Sequence, residues 1–187
     1  TTDQRGGAGN QRIDFGTVDI GAFEQQSHPP EALDNSLTTA EDTPLSFTDS
    51  DFLFNDSDGD NLASITVSNL ALATGDTLTV NLGAGVVTVT NGMTISAARI
   101  ASLTYTPVAN GNGAARSTFD YKVNDSRLGV VAATMTIDVT ADNDLPVAQT
   151  SQVTTGENAP KTFAASDFSY SDVESDTLAS ITVSSLS

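Results

Sequence analysis

The hexapeptide Ala63-Ser64-Ile65-Thr66-Val67-Ser68 recurs without a gap as Ala179-Ser180-Ile181-Thr182-Val183-Ser184, 116 positions later. The same offset carries Pro30 onto Pro146, Glu41 onto Glu157, Pro44 onto Pro160, and Ser50-Asp51-Phe52 onto Ser166-Asp167-Phe168. Asp56 and Asp60 fall on Asp172 and Asp176. A period of this length lies far beyond the roughly 20 to 50 residues of solenoid repeats and close to one β-sandwich domain. The chain therefore reads as beads: residues 34–144 as one complete sandwich and 145–187 as the first part of a second, truncated copy. Residues 27–33 read as a linker, and 1–26 as a β-strand tail outside both copies. The second copy is too short to bury an ordinary core alone.

Within the complete copy, apolar and polar residues alternate over short runs bounded by turn residues, the pattern of half-buried strands. The spacing predicts strands at 35–39, 45–48, 64–69, 77–82, 86–90, 103–107, 117–124 and 131–141. Turns such as Thr74-Gly75-Asp76, Asn91-Gly92 and Asn110-Gly111-Asn112-Gly113 separate them. Between Ile95 and Leu103 the alternation breaks, with Ile95, Ile100 and Leu103 apolar and alanines between, which predicts a short helical turn. Phe119, Tyr121 and Val123 share one strand face and read as core. In the tail, Ile13 to Glu24 alternates like one or two strands. The fold class is all-β, an antiparallel β-sandwich in tandem.

Charge narrows the partners. With 24 acidic residues against 7 basic ones, the formal net charge is −17. That excludes nucleic-acid binding, which needs a Lys/Arg surface, and disfavours anionic membranes. The sequence has no cysteine, so neither disulfides nor thiolate chemistry support it, and stability rests on packing or on packing plus a cation. No apolar run approaches the roughly 20 residues of a membrane-spanning helix, so membrane insertion is not expected. The absence of a signal-like opening makes the chain read as an internal piece of an exported protein.

Asp56, Asp58 and Asp60 stand at alternate positions around Gly59, so a sharp turn would bring three hard oxygen donors together, a chemistry that suits Ca2+. The spacing is not that of an EF-hand, because glycine is fourth in the loop and Val67 occupies the twelfth position. The same aspartates could instead form Asx turns at strand ends. In the second copy the loop offers Asp172, Glu174 and Asp176, with glutamate replacing the middle aspartate.

Several runs in order carry a family resemblance. Ala40-Glu41-Asp42-Thr43-Pro44-Leu45, Phe54-Asn55-Asp56-Ser57-Asp58-Gly59-Asp60, Leu103-Thr104-Tyr105-Thr106-Pro107 and Phe119-Asp120-Tyr121-Lys122-Val123-Asn124-Asp125 together resemble bacterial cadherin-like tandem repeats. Such repeats occur in large surface adhesins and RTX-type exoproteins. Asp142-Asn143-Asp144-Leu145-Pro146-Val147-Ala148 resembles the calcium-binding linker between successive cadherin domains. The resemblance implies an Ig/cadherin-like sandwich and a Ca2+ ligand set of Glu41, Asp56, Asp58, Asp60, Asp142, Asn143 and Asp144, with Asp125 a weaker addition. Glu157, Asp172, Glu174 and Asp176 are the set in the second copy. Separately, Thr2-Asp3-Gln4-Arg5-Gly6 with Val18-Asp19-Ile20-Gly21-Ala22-Phe23-Glu24 resembles the closing segment of right-handed parallel β-helix surface proteins.

Catalysis finds little to work with. The single histidine, His28, precedes Pro29 and Pro30 in the linker, so neither a Ser/His/Asp triad nor a histidine metal site is expected. The acids sit in repeated loops, and without tryptophan no sugar platform accompanies them. The expected function is a non-catalytic, calcium-binding structural or adhesive segment of a secreted, cell-surface bacterial protein. Its partners would be neighbouring repeats and a surface glycan or protein. Two alternatives stand beside it: an accessory module of a secreted polysaccharide-active enzyme, and a filament subunit that self-associates head to tail by strand complementation.

Overall fold

The computed structural model describes residues 28–57, 59–125 and 131–185, with the backbone of 13–14 and 17–18. They belong to two compact units, Thr1–Thr140 and Ala141–Ser187.

In chain order the first unit contains β1 (Ile13–Asp14), β2 (Thr17–Val18), β3 (Glu31–Ala32), β4 (Asn35–Ala40), β5 (Leu45–Ser46), β6 (Phe54–Asn55), β7 (Ser64–Ala71), β8 (Thr77–Asn81), β9 (Val86–Thr88), β10 (Thr94–Ser96), α1 (Ala97–Ile100), β11 (Thr104–Thr106), β12 (Gly113–Asn124) and β13 (Ala133–Thr140). A five-stranded sheet in the order β10-β7-β12-β13-β4 faces a four-stranded sheet in the order β5-β11-β8-β9. The two-residue pair β3–β6 lies beside them. This is an all-β, Ig-like sandwich.

Strict alternation builds its core. Phe119, Tyr121 and Val123 of β12, Met135 and Ile137 of β13, and Ile65 and Val67 of β7 are fully buried, while the residues between them remain partly exposed. Leu78 and Val80 of β8 and Tyr105 of β11 close the other side. An aromatic layer sits at the centre. The Phe47 and Phe52 rings lie 5.8 Å apart, Phe119 meets Phe47 edge-on at 6.0 Å, and Tyr121 meets Phe52 edge-on at 5.0 Å. Edge-on contacts of this kind stabilise by about 0.5 to 1.5 kcal/mol beyond area burial.

One pairing departs from the antiparallel expectation. β4 runs parallel to β13 over six register positions, from Asn35 opposite Met135 to Ala40 opposite Thr140. The other pairings of the two sheets are antiparallel. Boundaries differ from the expected strands where local bonds take over. The strand at Leu45 stops at Ser46, because the chain enters a 3-10 turn at Asp49–Asp51 in which the Thr48 N–H donates to Asp51 Oδ2 at 2.7 Å. The helical turn starts at Ala97, and Ile95 is instead paired with Ile65 in the sheet. In the tail, β1 and β2 pair antiparallel; the rest of the run that resembles a β-helix end lies outside the described residues.

The second unit repeats local features of the first at the offset of 116. β14 (Val147–Ala148) pairs with β15 (Tyr170–Ser171) as β3 pairs with β6. A 3-10 turn at Ala165–Asp167 matches Asp49–Asp51, and its Asp167 Oδ2 accepts the Ala164 N–H at 2.9 Å. Phe163 and Phe168 lie 5.6 Å apart, as Phe47 and Phe52 do at 5.8 Å. Asn158 takes a positive φ of 58°, matching 59° at Asp42. Among the described residues, the segments equivalent to β4 and β7 form no strand here. In the first unit those strands are paired with β10, β12 and β13, whose positions at the same offset lie past residue 187.

Candidate functional site

The long strand β12 separates the acidic positions of the first unit. At its start, Glu41 follows the end of β4: its backbone N–H donates to the Thr140 carbonyl at 2.9 Å, and its buried carboxylate accepts the Asn112 side-chain amide at 2.8 Å. At the far end the loop after β6 enters β7, with the Ala63 N–H donating to the Asn124 carbonyl at 2.8 Å. Asp56 and Asp60 belong to this loop, and the buried Asp125 follows Asn124. At roughly 3.3 Å per residue, the twelve residues of β12 span on the order of 35 Å. Glu41 and the Asp56 loop therefore cannot share one ion.

The loop turns where glycine was expected to allow it. Gly59 has φ +77°, and the Asp56 Oδ1 accepts the backbone N–H groups of Gly59 at 2.8 Å and Asp60 at 3.4 Å. The side chain thus closes the loop onto backbone three and four residues on, and this occupies one carboxylate oxygen. Asp58 lies outside the described residues.

In the second unit the equivalent loop repeats the turn, with the Asp176 N–H donating to Asp172 Oδ1 at 2.8 Å. Ser175 holds the position of Gly59 at φ +64°. Here the linker run is brought to the loop: the Asp144 N–H donates to Glu174 Oε2 at 3.1 Å. Asn143, Asp172 and Asp176 line one concavity of about 240 Å³. Asp142 Oδ1 accepts the Asn143 N–H at 3.0 Å. Glu157, the counterpart of Glu41, is exposed. Among the described residues, no three acidic or histidine side chains converge closely enough to hold a metal ion.

A heavily engaged charge in the first unit is one that sequence reasoning missed. Asp76 is buried between β8, β11 and β12, where it accepts hydrogen bonds from Arg116 Nη2 at 2.9 Å, Arg116 Nε at 3.0 Å, Ser117 Oγ at 2.9 Å, the Val108 N–H at 3.0 Å and the Tyr105 hydroxyl. Burial pushes the Asp76 carboxyl up, but the bonds from Arg116, Tyr105, Val108 and Ser117 outweigh it and hold it below the ordinary carboxylate value. Burial and the adjacent Asp76 raise Tyr105 in turn. Every donor here belongs to the scaffold, so the cluster fastens the fold. The only available signal was the turn Thr74-Gly75-Asp76; its partner Arg116 lies 40 positions away.

His28 is exposed at the entry to the first unit. Phe119 and Tyr121, expected as core, have 0% exposure. The Tyr121 hydroxyl donates to the Leu33 carbonyl at 2.5 Å, with the Leu53 carbonyl at 3.1 Å.

The model of the family described as bacterial Ig domain matches residues 27–138. The chain belongs to the bacterial Ig domain family. Bacterial Ig domains are generally structural modules without catalysis and are typical of surface proteins. The match covers both facing sheets of the first unit apart from the last residues of β13. No curated protein and no solved structure matches the chain. Among the described residues, no helix is long and apolar enough to cross a membrane.

Proposed function

We propose that this chain is a non-catalytic, structural or adhesive segment of a large secreted bacterial surface protein, in which Ig- and cadherin-like sandwiches follow one another along the polypeptide. The observation that carries the reading is the parallel pairing of β4 with β13. It brings the chain into the first sandwich at one pole, by Asn35, and out at the opposite pole, by Thr140. A module of this kind can be repeated in series without the chain having to double back. The second unit is then the opening of another copy, which accounts for the shared turns and aromatic pair at a constant offset.

Calcium belongs to this proposal as a stiffener of the loop pole. The donors that fit are those of one loop: Asp56, Asp58 and Asp60 with Asp125 in the first unit, and Asp144, Asp172, Glu174 and Asp176 with Asn143 in the second. Glu41 stands apart from the loop set of the first unit, because it lies at the other end of β12. Carboxylates and an amide oxygen are the hard donors that Ca2+ takes. A cation present at about 100 times its dissociation constant would stabilise the folded state by about 2.7 kcal/mol.

The test is a melting curve of the full chain in Ca2+, Mg2+ and chelator, repeated on the Asp56→Ala/Asp58→Ala/Asp60→Ala variant. The expected result is a rise of several degrees with Ca2+ that the variant reduces. An unchanged midpoint in every condition removes calcium from the proposal and leaves the structural role standing.

A further inference from the structure

The two facing sheets of the first unit end in four strand edges, β10 and β4 in one sheet and β5 and β9 in the other. An open edge leaves backbone N–H and C=O groups ready to pair with another strand, and proteins guard it with charged side chains, proline or a covering helix or loop. β4 lies between Asp34 and the Glu41-Asp42 pair, and the two residues of β5 lie between Pro44 and Asp49. β10 runs straight into α1, and its one apolar residue, Ile95, has 0% exposure. Among the described residues, β9 has no such guard. It lies within residues 77–98, the longest run of the chain without Asp, Glu, Lys, Arg or His. Val86 is 68% exposed, Val87 40%, and Leu82 in the turn before them 43%. Arg99 lies over Gly83 at that turn rather than on the strand.

The direction of the open backbone groups follows from the pairing with β8. The Val89 N–H donates to the Leu78 carbonyl at 2.9 Å, and Val87 faces Val80. Antiparallel bonds alternate, so Val87 also bonds inward to β8, while Val86 and Thr88 turn their N–H and C=O outward. We propose that β9 is a self-association edge, through which two copies of this chain pair antiparallel about Val87 and join their four-stranded sheets into one. The edge is self-complementary: Val86 of each copy faces Thr88 of the other, and each such pair exchanges both of its backbone bonds. Val87 meets Val87 on the two-fold axis, and β-branched pairs of this kind stabilise an antiparallel contact. Charge selects a second copy as the occupant. A foreign strand drawn to a chain of net charge −17 would be basic and would dock where carboxylates answer it, and β9 offers none. Two copies repel wherever their acidic side chains approach within about 8 Å, the screening length at physiological ionic strength. An uncharged edge is where they can meet.

The test is sedimentation velocity of the full chain from micromolar to millimolar concentration, at low and at high salt. The expected result is a monomer to dimer equilibrium that salt tightens, because screening relieves the repulsion between acidic copies while the contact itself carries no charge. Val87→Glu sets like charges directly opposite each other, and Thr88→Pro removes an outward N–H without touching the bonds to β8. Each should weaken dimerisation at least tenfold. Both residues are exposed, so an unchanged melting point reports intact folding; if Val87→Glu lowers it, Thr88→Pro decides. The chain has no cysteine, so a single introduced one reads the register. Facing residues of a non-hydrogen-bonded pair have Cα atoms about 4.5 Å apart, within disulfide reach, whereas diagonal neighbours at about 7 to 8 Å are not. Mild oxidation should therefore link Val87→Cys chains and leave Val86→Cys chains unlinked. A monomer across the whole range overturns the proposal. So does a dimer that survives both Val87→Glu and Thr88→Pro, a dimer that salt dissolves, or equal linkage of the two cysteine variants. None of these readouts involves Ca2+, so the calcium reading is judged separately.

Discussion

Arg116 and Asp76 meet through both ends of the guanidinium: Nη2 lies 2.9 Å from Asp76 Oδ1 and Nε 3.0 Å from Oδ2, with the aspartate side chain wholly buried. The pair joins the start of β8 to β12, and Tyr105 and Ser117 complete it from β11 and β12. Because the carboxylate gains five donors while losing water, its value lies in the whole set.

Replacing Asp76 with alanine leaves Arg116 and two hydroxyls facing an uncharged gap. Breaking a buried pair by removing one partner costs about 3 to 5 kcal/mol, and the partial exposure of Arg116 at 14% puts this case at the lower end. Chemical denaturation should show a loss of about 3 kcal/mol. A loss under about 0.5 kcal/mol would show the cluster to be dispensable.

The same carboxyl predicts an acid limb. Its pKa in the folded chain lies below the unfolded value, so its contribution is present above the ordinary carboxylate range and disappears as pH falls through the depressed folded pKa. The stability difference between wild type and Asp76→Asn should hold from pH 7 to about 5 and shrink below about pH 4. Paired denaturation curves along that range test it; a gap that widens on acidification contradicts the assignment.

Tyr121 predicts the opposite limb. Burial raises its phenol to about 12, so folded protein holds that proton above the pH at which the unfolded chain, near 10, has lost it. Its contribution is complete below about pH 10 and is lost as pH rises towards 12, a change on the order of 2 to 3 kcal/mol. Tyr121→Phe should be about 1 to 2 kcal/mol less stable at pH 7, since the Leu33 and Leu53 carbonyls lose their donor. It should also lack this alkaline loss. Parallel slopes for the two proteins above pH 10 would disprove the prediction.

Ile65 and Ile181 occupy equal places in the repeated hexapeptide but differ in exposure, 0% against 46%. Ile65→Ala should cost about 2 to 5 kcal/mol, the range for a buried aliphatic truncation, while Ile181→Ala should stay within about 0.5 kcal/mol. Melting of the two variants side by side decides it.

That pair also shows how far the sequence could be read. Alternation and turn residues placed most strands of the two facing sheets, though not β10 or the short pair β3 and β6, and identified Phe119, Tyr121 and Val123 as one buried face, because strand periodicity is a local property. Five of these six residues, Ser64 to Ser68, form part of an eight-residue strand in one unit, and their equivalents form none in the other. Whether they pair depends on β10 and β12, which no local pattern in the hexapeptide encodes. The parallel course of β4 beside β13 was invisible for the same reason: it joins residues about 100 positions apart.

The acidic positions were legible as residue types and as a repeated loop, and the sharp turn at Gly59 follows from the glycine among them. Their partition between two poles was not legible. It depends on the register of β12 against β13 and β7, which sets Gly113 by Val139 and Asn124 by Ser64. Asp76 passed as a mere turn residue because its significance comes from Arg116.

The neighbouring, parallel β4 and β13 give the first unit a mechanical character. If the chain were pulled from both sides, Asn35 and Thr140 would be drawn apart along the strand direction, and the bonds between the two strands would be loaded in shear, all together. Hairpin strands pulled from their open ends give way one bond at a time. A bead wired in this way resists tension as a clasp, a property suited to a tether held under flow.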